Sequence, residues 1–320
     1  MIVSVDPGAG FCWGVLRTID IAEAELRDGR QLVSLGDIIH NPSETQRLQT
    51  LGLEAIDHAG IEQLPDGTRV LIRAHGEPGT TYRKARELGV ELVDATCPIV
   101  TKLQERVRKY YDESWQVVIF GKREHAEVIG LRGVCNDECI VIKTLEEARD
   151  HVDHSRRTVL FSQTTMDKSA FREIRDFLRE RIAEFHEASL EEIATEFHAK
   201  DTICGQVSGR EDALREFASK HDIMFFVAGK QSSNGRVLFE ICRDANPRSY
   251  FVEQASEIDA GCLTGVESIG ISGATSTPRW LMESVREHIQ RLVDSAMHRN
   301  AGSDFHDEAV DNSPHHSHHH

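Results

Sequence analysis

Three of the seven cysteines share a setting that suits metal or redox chemistry. Cys12, Cys97 and Cys204 each stand between a strand-like segment and a segment with helical periodicity. The positive end of a helix dipole favours the thiolate, which is the form that binds metals. The intervals between the three are long, whereas cluster-binding motifs are normally compact. Spacing alone therefore leaves a shared ligand role and ordinary packing as open alternatives.

The other four cysteines lack this setting. Cys242 lies on the apolar face of VLFEIC and is predicted to be a core residue, and Cys262 has no partner pattern. Cys135 and Cys139 form one C-x3-C motif without a second pair, which does not favour a zinc site.

Polar side chains follow the apolar strand-like segments along the whole chain. Because ligands of parallel α/β sheets bind beyond the carboxyl ends of the strands, these side chains are predicted to line one cavity. The set consists of His40, His75, His125, Glu127, Thr164, Ser232, Ser233, Asn234 and Ser276.

Two of these loops open helices in a way that suits phosphate. Ser232, Ser233 and Asn234 would place hydroxyls and an amide beside free helix N–H groups. In GATSTP, Ser276 or Thr277 is predicted to cap the next helix. Ordinary capping explains either loop alone, but together with three strand-end histidines they favour an anion site.

Short β-branched runs alternate with helical patterns, which is typical of α/β architecture with mainly parallel sheets. The strands are predicted at 2–5, 32–35, 70–72, 92–93, 117–120, 140–142, 159–161, 223–227, 250–252 and 269–272. The helices are predicted at 13–27, 98–111, 168–184, 207–220, 233–243 and 278–297. The three cysteine settings suggest three similar small α/β domains, at 1–96, 97–200 and 201–297, followed by a disordered or tag-like tail at 298–320 that ends HHSHHH.

The charge and the first residues limit the partners and the compartment. A net charge of −16 without a basic stripe argues against nucleic acid, and no apolar run is long enough for a membrane span. The start MIVSVDPGAG has neither a basic nor an apolar signal region, so we expect a reducing cytoplasmic location.

The motifs together resemble the family of 4-hydroxy-3-methylbut-2-enyl diphosphate reductases, the last enzymes of the methylerythritol phosphate route to isoprenoids. The resemblance runs in order from about residue 1 to 296. It is carried by GFCWGV, the HN of IIHN, RAHGEP, DATCP with VTK, GK..HAEV.G, SQTT, GKQSSN and GATSTP.

The resemblance implies an iron–sulfur oxidoreductase built from three α/β domains around a pseudo-threefold axis. Cys12, Cys97 and Cys204 would hold a [4Fe–4S] cluster and leave one iron open for the substrate hydroxyl. Glu127 would deliver protons, and Thr164 would orient it and the hydroxyl. The products would be isopentenyl and dimethylallyl diphosphate, with a one-electron donor such as ferredoxin or flavodoxin as partner. The diphosphate would be held by His40, His75, His125, Ser232, Ser233, Asn234 and Ser276.

Three positions depart from the family pattern. Trp13 follows the first cysteine where many relatives have a small residue, and Ala126 replaces a frequent proline. Gly209 stands where asparagine is expected, which puts the rigidity of the third cysteine loop, or a hydrogen bond near the substrate, in doubt. Two alternatives remain: a non-redox zinc or phosphate-binding α/β protein, and a non-catalytic relative that keeps the cluster as a sensor.

Overall fold

The structure is a computed structural model that describes residues 1–303, and side chains up to residue 295. The strands are β1 Ile2–Val5, β2 Leu32–Leu35, β3 Glu54–Ile56, β4 Arg69–Ile72, β5 Glu91–Asp94, β6 Gln116–Phe120, β7 Ile140–Ile142, β8 Thr158–Ser162, β9 Phe197–Ala199, β10 Ile223–Val227, β11 Ser249–Val252 and β12 Ser268–Gly273. The α-helices are α1 Trp13–Arg27, α2 Pro42–Thr50, α3 Gly79–Glu87, α4 Pro98–Asp112, α5 Ala126–Val134, α6 Leu145–His151, α7 Lys168–Phe185, α8 Gly205–Ser219, α9 Ser233–Ala245 and α10 Arg279–Ser303.

The strands form three four-stranded sheets in which every pairing is parallel. The orders are β3-β2-β4-β5, β7-β6-β8-β9 and β11-β10-β12-β1. The first two sheets therefore have the strand order second-first-third-fourth along the chain, and the third sheet has the same arrangement with β1 in the place of a fourth strand. This confirms the predicted class of three α/β units with parallel sheets.

The first strand of the described chain completes the last sheet. β1 pairs with β12, so that Val3 lies beside Ile269 and Val5 beside Ile271. Both valines pack against the apolar core of that sheet, which is the physical reason for the pairing. The predicted domain limits 1–96, 97–200 and 201–297 stay a prediction. The predicted tail lies outside the described residues from residue 304 onward, and α10 extends to Ser303.

Both faces of each sheet are covered, as the apolar strand sequences require. In β6, Val118 and Phe120 point into one core while Val117 and Ile119 point into another. This alternation follows from the two-residue period of a strand, and helices cover both sides. Full burial of each such side chain contributes roughly 1.5–3 kcal/mol, which holds the loops at the strand ends on a rigid base.

None of the helices within residues 1–303 is both long and apolar enough to cross a membrane.

Candidate functional site

One cavity of about 820 Å³, counted with its open mouth, brings together all twelve of the predicted site residues. They come from equivalent places in the three sheets: the loops after the first strand, after the third strand and after the fourth strand. In sheets of this order the first and third strands flank the switch point where ligands bind. The residues are His40, His125, Glu127, Ser232, Ser233 and Asn234 after first strands, His75, Thr164 and Ser276 after third strands, and Cys12, Cys97 and Cys204 after fourth strands.

The three cysteines occupy identical positions at helix starts. Cys12, Cys97 and Cys204 are the N-cap residues of α1, α4 and α8, and none of the three side chains caps its helix by a hydrogen bond. Burial raises the pKa of the Cys12 thiol, and the charges of the other two cysteines raise it further. Gly14 allows the close approach, because a Cβ there would lie 2.8 Å from the Cys97 sulfur.

The backbone ties each cysteine to a binding loop. The N–H groups of Cys12, Cys97 and Cys204 donate to carbonyl oxygens in the loops after the third strands. The acceptors are Thr275 at 2.9 Å, Ala74 at 3.0 Å and Thr164 at 2.9 Å. The same hydrogen bond, repeated three times, therefore fixes the thiols relative to the polar side chains of the cavity.

His40, His75 and His125 form a triangle, with ring centroids 5.2 to 5.8 Å apart. Burial lowers the pKa of all three imidazoles, that of His125 to about 4, and the nearby Arg73 adds to the effect. They are therefore neutral near pH 7. Nδ1 of His125 accepts the N–H of Glu127 at 3.3 Å, which leaves Nε2 of His125 as the donor.

Ser232, Ser233 and Asn234 open α9 and lie against the loop after β12. Ser232 is the N-cap of α9, and its hydroxyl lies 3.1 Å from that of Ser276. Asn234 Oδ1 accepts the N–H and the hydroxyl of Thr275 at 2.8 and 2.7 Å. Its Nδ2 is buried without a partner, as is Nδ1 of His75. A buried donor without an acceptor is costly, so the amide is suited to an anionic ligand.

Glu127 and Thr164 form a buried pair on the wall of the same cavity. The carboxylate oxygens of Glu127 accept the N–H of Thr164 at 2.8 Å and its hydroxyl at 2.7 Å. Burial raises the pKa of Glu127 to about 7, although both hydrogen bonds from Thr164 lower it. The carboxyl group therefore exchanges a proton near neutral pH, as a general acid requires.

A family model described as LytB protein matches residues 3–290. The chain belongs to the LytB family. A relative from Chloroherpeton thalassium is 47% identical over 305 residues, which cover 91% of this chain and 96% of the relative. One from Bacteroides fragilis is 47% identical over 296 residues, which cover 91% and 98%. Both LytB relatives are named 4-hydroxy-3-methylbut-2-enyl diphosphate reductase.

Two solved structures resemble this LytB chain. One is described as (E)-4-hydroxy-3-methyl-but-2-enyl diphosphate reductase, the terminal enzyme of the non-mevalonate pathway. It has a TM-score of 0.67 and 33% identity, and the alignment covers 91% of this chain and all of that one. The second is a reductase from Plasmodium falciparum with a TM-score of 0.76 and 22% identity, covering 92% and 87%, and it supports the fold alone.

Sequence reasoning missed two residues that contact the predicted set: Thr275, which lines the cavity, and Lys122, which contacts Ser233 without lining it. Nζ of Lys122 donates to the Ser233 hydroxyl at 2.9 Å, and burial lowers the pKa of this lysine. Its GK motif looks like that of Lys230, which is exposed and pairs with Glu253 at 3.5 Å. Nothing in the sequence distinguishes the two lysines. Lys122 follows a strand of one sheet and Ser233 follows a strand of another, so their contact depends on how the sheets pack.

None of the three residues that depart from the LytB pattern meets a steric conflict in the structure. Ala126 is the first residue of α5, where proline is also well accommodated. Trp13 is 51% exposed, and its backbone N–H donates to Oε1 of Gln206 at 2.9 Å. A Cβ at Gly209 would meet no atom within 4 Å, so this position on α8 is in open space.

Proposed function

We propose that this chain removes the hydroxyl group of 4-hydroxy-3-methylbut-2-enyl diphosphate reductively and yields isopentenyl and dimethylallyl diphosphate. Membership of the LytB family and the names of its relatives support this activity. The observation that carries the proposal is a single cavity with three thiols, an unpaired amide donor and a carboxyl group of raised pKa. The alternative of a non-redox binding protein accounts for the amide but gives the buried pair of Glu127 and Thr164 no role.

The donor set fits a [4Fe–4S] cluster at Cys12, Cys97 and Cys204. Three sulfurs on one zinc ion at about 2.3 Å would lie within about 4 Å of one another. Among the described side chains, the only group of three potential ligands within 4.8 Å of one another is the histidine triangle. The wider separation of the thiols favours a multinuclear group, and their freedom from capping bonds leaves them available.

Replacement of a hydroxyl group by hydrogen consumes two electrons and two protons and releases one water. The cluster, when bound, supplies the electrons and a Lewis-acidic iron at the hydroxyl oxygen. One cluster normally passes one electron at a time, so a one-electron donor such as ferredoxin or flavodoxin is the proposed partner. The cytoplasmic location stays a prediction.

The diphosphate is held by neutral donors in a positive field. The three imidazoles donate N–H groups without a charge of their own, and the hydroxyls of Ser232, Ser233 and Ser276 add O–H donors. The N-terminus of α9 and the ammonium group of Lys122 supply positive potential beside them. The unpaired Nδ2 of Asn234 gains its acceptor when the anion enters.

Protons reach the substrate through Glu127 and Thr164. When Glu127 is protonated, its O–H can donate to the Thr164 hydroxyl, which reverses the direction of the 2.7 Å hydrogen bond. The Thr164 hydroxyl then has its own proton free for the leaving oxygen. Because the pKa of Glu127 is about 7, both protonation states are populated at neutral pH and the acid can be reloaded between turnovers.

The decisive experiment is anaerobic reconstitution with iron and sulfide, followed by metal analysis, a visible spectrum and a reductase assay on the allylic diphosphate. We expect four irons per chain, a broad charge-transfer absorption and formation of both products. Zinc in place of iron, with no visible absorption, would support the binding-protein alternative. A bound cluster without turnover would support the sensor alternative.

A further inference from the structure

A buried ion pair joins the loop that leads to Cys12 and the helix that begins after Cys204. Asp6 directly follows β1, and Arg210 lies on α8, for which Cys204 is the N-cap. Nη2 of Arg210 lies 3.3 Å from Oδ2 of Asp6, and the two side chains are only 11% and 6% exposed. Neither residue lines the cavity, so the pair contacts the elements that hold the thiols and not the ligand space itself.

Asp6 fixes the first turn of the loop that leads to Cys12. Its Oδ1 accepts the N–H of Gly8 at 2.9 Å, and its Oδ2 accepts the hydroxyl of Ser272 on β12 at 2.7 Å. Its backbone carbonyl accepts the N–H of Ala9 at 3.1 Å. The carboxylate thus holds this loop against the last sheet, six residues before the thiol.

Arg210 occupies a place that recurs in the other two units. It is the sixth residue after its cysteine, and Thr18 and Leu103 hold the same position after the other two. Both of these are buried. The hydroxyl of Thr18 donates to the carbonyl oxygen of Ala95, two residues before Cys97, at 3.2 Å. At two of the three places, therefore, the helix after one cysteine contacts the loop that leads to another.

Packing alone does not require an arginine at this place. Leu103 fills the equivalent position with an apolar side chain in the core of the second unit. Nη2 of Arg210 is shared among oxygens of Asp6, Ser272 and Gly273, each at 3.3 Å, and within the described residues its Nε and Nη1 have no partner. Burying a charge with unused donors is costly, and a buried ion pair is weak evidence for stability. A role in fixing one element relative to another accounts for the pair better.

We propose that Arg210 is a positioning residue for the cluster, and that its ion pair with Asp6 sets the position of Cys12 relative to Cys204. The inference rests on the proposed [4Fe–4S] cluster, which is held by thiolates at fixed separations. Without the pair, α8 and the loop at 6–12 lose the charged contact that joins them. Groups that orient metal ligands in this way are typically worth roughly 10–100-fold in metal affinity.

Arg210→Met tests the proposal, because methionine keeps an unbranched side chain without the charge or the donors. Loss of the cluster to a ferrous chelator, followed by visible absorption, should be roughly 10–100-fold faster than in the parent. The electron paramagnetic resonance spectrum of the reduced cluster should broaden. Hydrogen exchange of residues 6–12 should be faster in the cluster-free variant than in the cluster-free parent. Because exchange needs no cluster, it distinguishes a failure of the positioning role from a failure of the proposed function.

A double variant separates positioning from stability. Arg210→Met alone leaves the Asp6 carboxylate buried without its cation, which is strongly destabilising, whereas Asp6→Asn combined with Arg210→Met leaves no charge behind. We expect the double variant to melt close to the parent temperature, while its cluster loss and its hydrogen exchange stay fast. It also decides the question if Arg210→Met does not fold.

Arg69→Met is the matched control. Arg69 is a buried arginine paired with Glu25, at the far end of α1 from Cys12. Its replacement should lower the melting temperature and leave the rate of cluster loss unchanged. The proposal is overturned if the double variant keeps its cluster as long as the parent does, or if Arg69→Met loses it as fast as the double variant. It is equally overturned if residues 6–12 exchange at the parent rate.

Discussion

The replacement Glu127→Gln tests the proposed proton path most sharply. Glutamine keeps the length and shape of the side chain, and its oxygen can still accept the N–H of Thr164, a bond of 2.8 Å in the structure. Its amide nitrogen donates to the Thr164 hydroxyl, so the threonine stays in place. The variant lacks only the acidic proton, and it is therefore expected to bind cluster and substrate as the parent does.

The size of the loss follows from the chemistry of the pair. General acid catalysis is worth roughly 10²–10⁴ in rate, which corresponds to about 3 to 5 kcal/mol of transition-state stabilisation. The pKa of about 7 adds a second signature. Because only the protonated carboxyl group donates, turnover of the parent should fall as the pH rises through 7. The glutamine variant should show low turnover without this step.

Single-turnover and steady-state rates between pH 6 and 9, with cluster content verified by iron analysis, provide the measurement. Glu124→Gln is the matched control, because Glu124 is an exposed carboxylate three positions earlier and should leave both rate and pH profile unchanged. Near-normal turnover of Glu127→Gln would refute the assignment and require another donor. A pH step that survives in the variant would show that another group titrates.

Three further predictions address the other parts of the site. Cys97→Ser should abolish the visible absorption of the reconstituted protein, whereas Cys262→Ser should retain it; a stable cluster in the first variant would contradict the ligand assignment. Asn234→Ala removes a hydrogen-bond donor to a charged ligand, and such a bond is worth roughly 1.5–3 kcal/mol. KM should therefore rise about ten- to hundredfold with the cluster intact, and inhibition by pyrophosphate should weaken in parallel. Gly209 lies within α8, and a Cβ there would meet no atom within 4 Å. Gly209→Ala should therefore raise the free energy of unfolding by about 0.5–1 kcal/mol and leave turnover unchanged. Thermal melting can check this, and a lower melting temperature would contradict the open surroundings.

The sequence predicts the elements whose patterns are strong and local. The β-branched runs identify β6, β8 and β10, and the periodicity of 98–111 identifies α4 to within one residue. The omitted elements are short: α2 has only two buried residues, Glu44 and Leu48, so its apolar period is too weak to recognise. β3 and β9 are three-residue edge strands with partly exposed side chains. Little local signal exists in such segments.

The sequence allowed the site residues to be assigned to one cavity, because parallel strands place their carboxyl ends at one edge of a sheet. Contacts between sheets could not be predicted in this way. The bond from Lys122 to Ser233 and the close approach of Gly229 to the carbonyl group of His40, where a Cβ would overlap that oxygen, depend on how the units pack. The bond from Cys12 to Thr275 likewise joins the two ends of the chain. Each of these depends on tertiary packing, about which local propensity carries no information.

The pairing of β1 with β12 also has a consequence during synthesis. Ile2 leaves the ribosome long before its partner Ser268, which lies 266 residues further along the chain. At about 5–20 residues per second, this strand waits on the order of ten to fifty seconds for its neighbour. During that time Val3 and Val5 are exposed and the N-cap position of Cys12 has no Thr275 carbonyl to hold it. The other two sheets, whose strands follow one another in the chain, can form as they emerge, whereas the cavity can close only after β12 has been made.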